Sequence, residues 1–217
     1  RSYNMKMPEE INRIVTDRLS TLLFCPTKKA TENLDLEGYG QIACNIINSG
    51  DVMKDGANFY SLFAYKPKIE INKKYILWSI HRAENSDSKK KLKSIFDALN
   101  HISDQNQIIL PIHPRTLKRC KQYEIDLSKL NVINPVGYFE MLWLIKNSNL
   151  IITDSGGLQK ESYFFGKSCV VLREETEWVE LIENNFNALV GTNTKNIVEK
   201  VINDDDRISK IYIGVHP

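Results

Sequence analysis

The residues "TDSGGLQKESYFFGK", Thr153 to Lys167, set a serine and two glycines directly behind an apolar run, with a glutamate one helical turn past the second glycine. The preceding "NLIIT" reads as a short buried strand, and the residues after Gly157 carry helix-forming types. At a strand-to-helix junction the first helical N–H groups lack intrahelical partners and the helix dipole adds partial positive charge, which suits an anion. Glycines there let the anion reach the backbone. From Gly157 to Glu161 is an i,i+4 step, so the carboxylate stands one turn above the amides on the same face. A phosphate below and a ribose diol above fit that arrangement. The same residues are also ordinary turn chemistry, with Ser155 as an N-cap and the glycines tightening the bend.

The elements that must position this turn are legible as apolar β-type runs at 75–80, 107–112, 131–136, 149–153, 168–173 and 188–192, with amphipathic helices between them. Buried strands alternating with helices predict an α/β fold, a Rossmann-like doubly wound parallel sheet. In such a sheet ligands bind outside the carboxyl ends of the strands. The segments expected there are "HRAEN", "HPRT", "VGY", "DSGG" and "REETEW", which bring His81, Arg82, His113, Ser155 and Arg173 to one rim. Polar loop filler accounts poorly for that concentration of anion-binding types, so the rim is expected to hold an anionic ligand.

Ahead of the sheet, Pro8 and Glu9 suit a first helical turn, and Ile11, Ile14, Val15, Leu19 and Leu22 recur at helical spacing. "LLFCP" predicts a strand, Thr27 opens a polar helix running to about Glu37, 41–44 is a weak strand, and 52–64 a further helix. The charged "KPKIEINKK" reads as a connector, giving expected units of 1–66 and 67–217.

Composition excludes several classes. The 217 residues are 42% hydrophobic, enough for a core, and 29 Lys plus Arg against 27 Asp plus Glu leave a net charge of +2. Nucleic acid is not expected as a partner; "SKKKLK" reads as the solvated face of a helix that buries Leu92, Ile95, Phe96 and Leu99. No apolar run reaches the roughly 18 residues of a membrane span, and no signal peptide is visible, so the expected location is cytoplasmic. Cys25, Cys44, Cys120 and Cys169 are scattered, as are His81, His101, His113 and His216, so neither a disulfide framework nor a metal site is expected. The chain opens at Arg1 without a methionine and reads as part of something longer.

The segments "PEEINR", "FCPT", "HRAEN", "HPR", "TDSGGLQKES", "FGKSCVVLREETEW" and "LVGT" resemble the non-hydrolysing UDP-N-acetylglucosamine 2-epimerase family, in order and spacing, over almost the whole chain. The resemblance implies a glycosyltransferase-B-like pair of Rossmann-like domains with a nucleotide sugar in the cleft. This chain would be the carboxyl-terminal domain with hinge-side helices and a remnant of the amino-terminal one. It implies Glu9 as a catalytic carboxylate and His81 as a catalytic histidine near the sugar and diphosphate. Ser155, Gly156 and Gly157 would bind diphosphate, Glu161 the ribose, and the Val136 backbone with Met141 the uracil. A methionine at 141 replaces the family's common aromatic. "ETEWVEL" puts Trp178 where enzymes acting on plain UDP-N-acetylglucosamine usually carry arginine, which looks more like the branch acting on UDP-2,3-diacetamido-2,3-dideoxyglucuronate.

The implied chemistry inverts C2 of a 2-acetamido sugar by eliminating UDP and re-adding it, with no cofactor and no metal. That needs a proton-transfer carboxylate, for which Glu9 is the candidate, and stabilisation of the departing diphosphate, for which Arg82, His81 and Arg173 are available. Without the resemblance Glu9 reads instead as a first-turn acid favoured by the helix dipole. The family's other catalytic acids belong to a domain outside this sequence, so the chain alone is expected to be inactive and the intact protein a homodimer. A UDP-sugar glycosyltransferase of similar fold and a non-catalytic UDP-binding module remain open alternatives.

Overall fold

A computed structural model describes Met5, residues 7–72 and 74–211, with 203–211 as helical backbone. His216 lies outside the described residues. The chain groups into two compact units, Arg1–Asn58 and Phe59–Pro217.

In the first unit, α1 (Pro8–Leu19) begins with proline at its first turn and Glu9 and Glu10 beside the positive end of the dipole. Its polar face makes its contacts. Arg13 grips the buried Glu10 at 2.7 Å, Asp17 at 2.9 Å and Glu37 at 3.6 Å. Ile11, Val15 and Leu19 stay exposed, so the expected apolar stripe is not a buried face. Leu22 is not helical either: Ser20 turns extended and β1 (Leu22–Cys25) follows. Thr27 Oγ1 accepts the Ala30 amide at 3.1 Å and caps α2 (Lys28–Leu36), after which Gly38 supplies a left-handed φ of 82°. The strand expected at 41–44 forms later, as β2 (Asn45–Asn48), parallel to β1 with Leu22 opposite Asn45. The displacement follows from Tyr39, which opens a 3-10 turn (Tyr39–Gln41) and is buried with Cys25 and Leu34. The helix expected over 52–64 is α3 (Val52–Tyr60), closing in a 3-10 turn (Ser61–Phe63).

The second unit carries all six expected strands: β3 (Tyr75–Ser79), β4 (Gln107–Pro111), β5 (Asn131–Ile133), β6 (Leu150–Thr153), β7 (Cys169–Val171) and β8 (Asn187–Leu189). They form one parallel sheet in the order β5-β4-β3-β6-β7-β8. Around it lie α4 (Ala83–Ser86), α5 (Lys89–Ser103), α6 (Pro114–Gln122), α7 (Tyr138–Asn147), α8 (Gly156–Phe164), α9 (Val179–Glu183) and α10 (Thr194–Ile211). Alternation along β3 splits the core: Ile76, Trp78 and Ile80 face one cluster with Leu92, Phe96 and Leu99 of α5, while Tyr75 and Leu77 face another with Leu144 and Ile145 of α7. A strand buried on both faces needs apolar residues throughout, which is why these runs are legible.

The division between units falls at 58/59 because the residues just beyond it join the second unit. Tyr60 meets Tyr138 edge-to-face at 6.1 Å between ring centroids, and Phe63 and Tyr65 lie 6.4 and 6.5 Å from Phe139. The sheet order is Rossmann-like, and the chain reverses direction of progress between β3 and β6, so their carboxyl ends flank the topological switch point.

Candidate functional site

The loops leaving β3 and β6 are fastened to one buried carboxylate, that of Asp154. Its Oδ1 accepts the His81 amide at 3.1 Å, and its Oδ2 accepts the Arg82 amide at 3.1 Å and Asn85 Nδ2 at 3.0 Å. His81 Nδ1 stands 3.7 Å from the same carboxylate, with the ring otherwise open to solvent. Asn85 Nδ2 also reaches the Leu172 carbonyl at 3.1 Å, which adds the loop after β7. A charge with no exposure at all is tolerable because every side of it meets a donor.

One residue on, the chain turns into α8. Thr153 Oγ1 accepts the Ser155 amide at 3.0 Å, and Ser155 Oγ accepts the Leu158 amide at 3.4 Å, so the serine is the expected N-cap. Among the described residues no hydrogen bond is donated by the Gly156 or Gly157 amide. The loop after β7 folds back over this helix mouth. Trp178 Nε1 donates to the Gly156 carbonyl at 3.0 Å, its own amide donates to Thr176 Oγ1 at 3.2 Å, and Thr176 Oγ1 donates to Gln159 Oε1 at 2.8 Å. Lys160 Nζ lies 4.4 Å from the Trp178 ring centroid. Trp178 is therefore a clamp that holds its loop on α8. Inside that loop Arg173, 3% exposed, donates from Nη1 to Glu177 Oε2 at 2.8 Å, and its Nε has no partner. A Cβ on Gly156 would overlap the Glu177 carboxylate, so this position is glycine for close approach.

One turn up α8, burial holds the Glu161 carboxyl above its ordinary range, opposed by a hydrogen bond from the Tyr138 hydroxyl and by the Lys160 charge. Tyr138 itself is pushed up to about 12, by burial first and then by Glu161. Val136 and Met141 are half-buried against the core face that α7 covers.

The structure thus joins His81, Arg82, Ser155, Gly156, Arg173 and Trp178 through one hydrogen-bonded loop cluster, with Gly157 and Glu161 on the following helix. Val136, Met141 and His113 lie outside that cluster among the described residues of the second unit. His113 is exposed and caps α6, its Nδ1 accepting the Arg115 amide at 3.2 Å. Glu9 is an exposed first-turn residue of the other unit. Three residues escaped the sequence reading: Asp154, Glu177 and Tyr138. Asp154 and Tyr138 belong to "DSGG" and "VGY", segments already assigned to the rim, and an acid directly behind the apolar run of Leu150, Ile151, Ile152 and the buried Thr153 signals burial. Glu177 belongs to "REETEW", also assigned to the rim, but nothing local singles it out, because the Trp178 clamp brings it to α8.

Among the described residues no group of three or more His, Cys, Asp or Glu is arranged to hold a metal. Burial pushes the Cys120 thiol up to about 11 and Cys169 to about 12, which suits packing rather than nucleophilic chemistry. No described helix is long and apolar enough to cross a membrane.

A family model for UDP-N-acetylglucosamine 2-epimerase matches residues 1–212. The chain is 48% identical to UDP-2,3-diacetamido-2,3-dideoxy-D-glucuronate 2-epimerase of Pseudomonas aeruginosa, over 96% of this chain and 61% of that protein. It is 35% identical to UDP-N-acetylglucosamine 2-epimerase of Campylobacter jejuni, over 100% of this chain and 62% of that one. The crystal structure of the Methanocaldococcus jannaschii UDP-GlcNAc 2-epimerase in complex with UDP-GlcNAc and UDP matches with a TM-score of 0.84 at 38% identity, over 93% of this chain and 59% of that one. The Neisseria meningitidis enzyme bound to UDP-GlcNAc gives 0.81 at 29% identity, over 93% and 58%. The glycosyltransferase-B-like relationship expected of the fold is that of these neighbours, and the chain spans about three fifths of the length of the curated relatives it matches.

Proposed function

We start from kinship: the chain belongs to the UDP-N-acetylglucosamine 2-epimerase family, and we propose that its switch-point rim is the UDP-binding half of a UDP-sugar 2-epimerase site. The observation that carries the reading is the mouth of α8. There the Gly156 and Gly157 amides donate no hydrogen bond among the described residues, a guanidinium lies buried nearby, and the His81–Arg82 turn is fixed by Asp154. Free amides at a helix N-terminus with cations beside them suit a diphosphate.

In this reading the diphosphate takes the Gly156 and Gly157 amides with Arg82 and Arg173 near it. Glu161 accepts from the ribose hydroxyls, and the Val136 backbone and Met141 face the uracil. His81 lies toward the sugar, Glu9 serves proton transfer, and His113 lines the rim. The reaction removes the C2 proton to a carboxylate while the C1–oxygen bond breaks and UDP leaves. UDP then adds back with C2 protonated from the opposite face. Charge develops on the leaving diphosphate, so preorganised donors at that point lower the barrier.

The 2,3-diacetamido uronate is the proposed sugar, supported by the 48% identity to the Pseudomonas enzyme and by Trp178 at its position. The first unit is proposed as hinge-side helices with a remnant of the facing domain, which in an intact, cytoplasmic, homodimeric enzyme supplies the remaining acids for making cell-surface polysaccharide precursors. The 217-residue chain by itself is then expected to turn over near background. Calorimetric titration with UDP tests the half-site. Glu161→Ala should raise the UDP Kd by about fivefold to 150-fold, the loss of charged hydrogen bonds worth roughly 1–3 kcal/mol. Equal affinities would discard the ribose role.

A further inference from the structure

Glu177 lies against the Cα of Gly156, where an added methyl would overlap its Oε1, while Oε2 takes Arg173 Nη1 at 2.8 Å. The guanidinium is buried with its Nε unpartnered, and beside it the Gly156 and Gly157 amides donate no hydrogen bond among the described residues. One carboxylate of the chain itself therefore holds the position that a buried cation and the positive end of α8 both favour for an anion. We propose that Glu177 is a resident stand-in for the ligand's phosphate, which rotates out as a diphosphate enters and passes Arg173 to it. The inference rests on the half-site reading above.

Geometry allows the exchange. The Glu177 backbone neighbours the Trp178 clamp and need not move, whereas its side chain is 28% exposed and has a path to solvent. One anion replaces another on Arg173, so part of the attraction between the mouth and a diphosphate is spent on displacing the carboxylate. A ligand of low charge cannot complete that exchange, and Glu177 therefore selects for the diphosphate. Neutral uridine does not contest the position.

Titration of wild type and Glu177→Gln with UDP, uridine and inorganic pyrophosphate tests this. Glutamine keeps the shape and removes the charge, so the UDP Kd should fall by about threefold to tenfold, pyrophosphate should follow it, and uridine should be unchanged. Glu177→Ala, which leaves no side-chain acceptor for Arg173, should tighten UDP in the same direction. If wild type binds UDP and both variants bind it equally or more weakly, Glu177 is no competitor and the inference is overturned alone. If no form of the chain binds UDP or pyrophosphate, the half-site reading fails and takes the inference with it.

Discussion

The Asp154 loop cluster and the mouth of α8 adjoin in sequence yet balance their hydrogen bonds in opposite ways. At Asp154 a fully buried carboxylate is met by two backbone amides and a side-chain amide. At the mouth, among the described residues, donors outnumber acceptors: the Gly156 and Gly157 amides and Arg173 Nε are unmatched, and Glu177 answers the guanidinium. Arg173 Nε is buried, and an unmatched buried donor costs roughly 1–3 kcal/mol, so the guanidinium is a deficit that an incoming anion relieves, while the Gly156 and Gly157 amides are half-buried and exposed. The difference separates a part that holds the rim in shape from a part that exchanges partners. It also predicts that mutations in the two parts will be felt in different measurements.

The largest expected effect breaks the first part. Asp154→Ala would strand the His81 and Arg82 amides, remove one of the two partners of Asn85 Nδ2 and untie the loops after β3 and β6. Denaturant unfolding should register a loss of about 3–5 kcal/mol, the range for breaking a buried charged network. A loss below about 1 kcal/mol would mean that the loops are held by something else and that Asp154 is no scaffold.

Gly156→Ala is the counterpart at the mouth. The added Cβ displaces the far end of the Glu177 side chain and loosens its bond to the buried Arg173, so stability should fall by roughly 1–3 kcal/mol, less than for Asp154→Ala. The methyl would also stand where a phosphate must approach the backbone, and the UDP Kd should rise by at least about tenfold. Unfolding and titration on the same preparation give both readouts. A stability loss matching that of Asp154→Ala would erase the distinction between the two parts.

How far this division was legible in the sequence depends on the range of the interactions. The central strands of the second unit could be read directly, because burial on both faces demands continuous apolar runs such as "YILWSI" and "NLIIT". The Ser155 cap could be read for the same local reason. In the first unit the apolar spacing of α1 was legible as a helix but not as an exposed face, since Arg13 and its carboxylates make the contacts instead. The shift of β2 from 41–44 to Asn45–Asn48 depends on where the Tyr39 ring is buried, which no local pattern records. Glu177 lies in the rim segment "REETEW", but its approach to α8 depends on a chain reversal pinned by Trp178 and was not legible.

The smallest expected effect sharpens the comparison at its edge, where Tyr138 meets Glu161. Burial already holds the Glu161 carboxyl above its ordinary range, while the Tyr138 hydroxyl favours the charged form and limits that rise. Tyr138→Phe removes the donor, so the Glu161 pKa should climb further, at a stability cost of about 1 kcal/mol or less for one hydrogen bond. A carboxyl raised on folding binds its proton more tightly in the folded chain. Its favourable contribution is full below the unfolded value, near about 4.3, and is lost as pH rises through the folded one. The variant should therefore lose stability over a wider span of pH than wild type does. Ribose binding needs the charged carboxylate as acceptor, so the acid limb of UDP affinity should move to higher pH as well. Carboxyl-carbon NMR titration of Glu161, with UDP titrations at about pH 5 and about pH 8, reads both consequences. Should the Glu161 titration stay fixed while UDP affinity drops equally at both pH values, Tyr138 would be touching the nucleotide itself, and its bond to Glu161 would belong with the exchangeable contacts of the mouth.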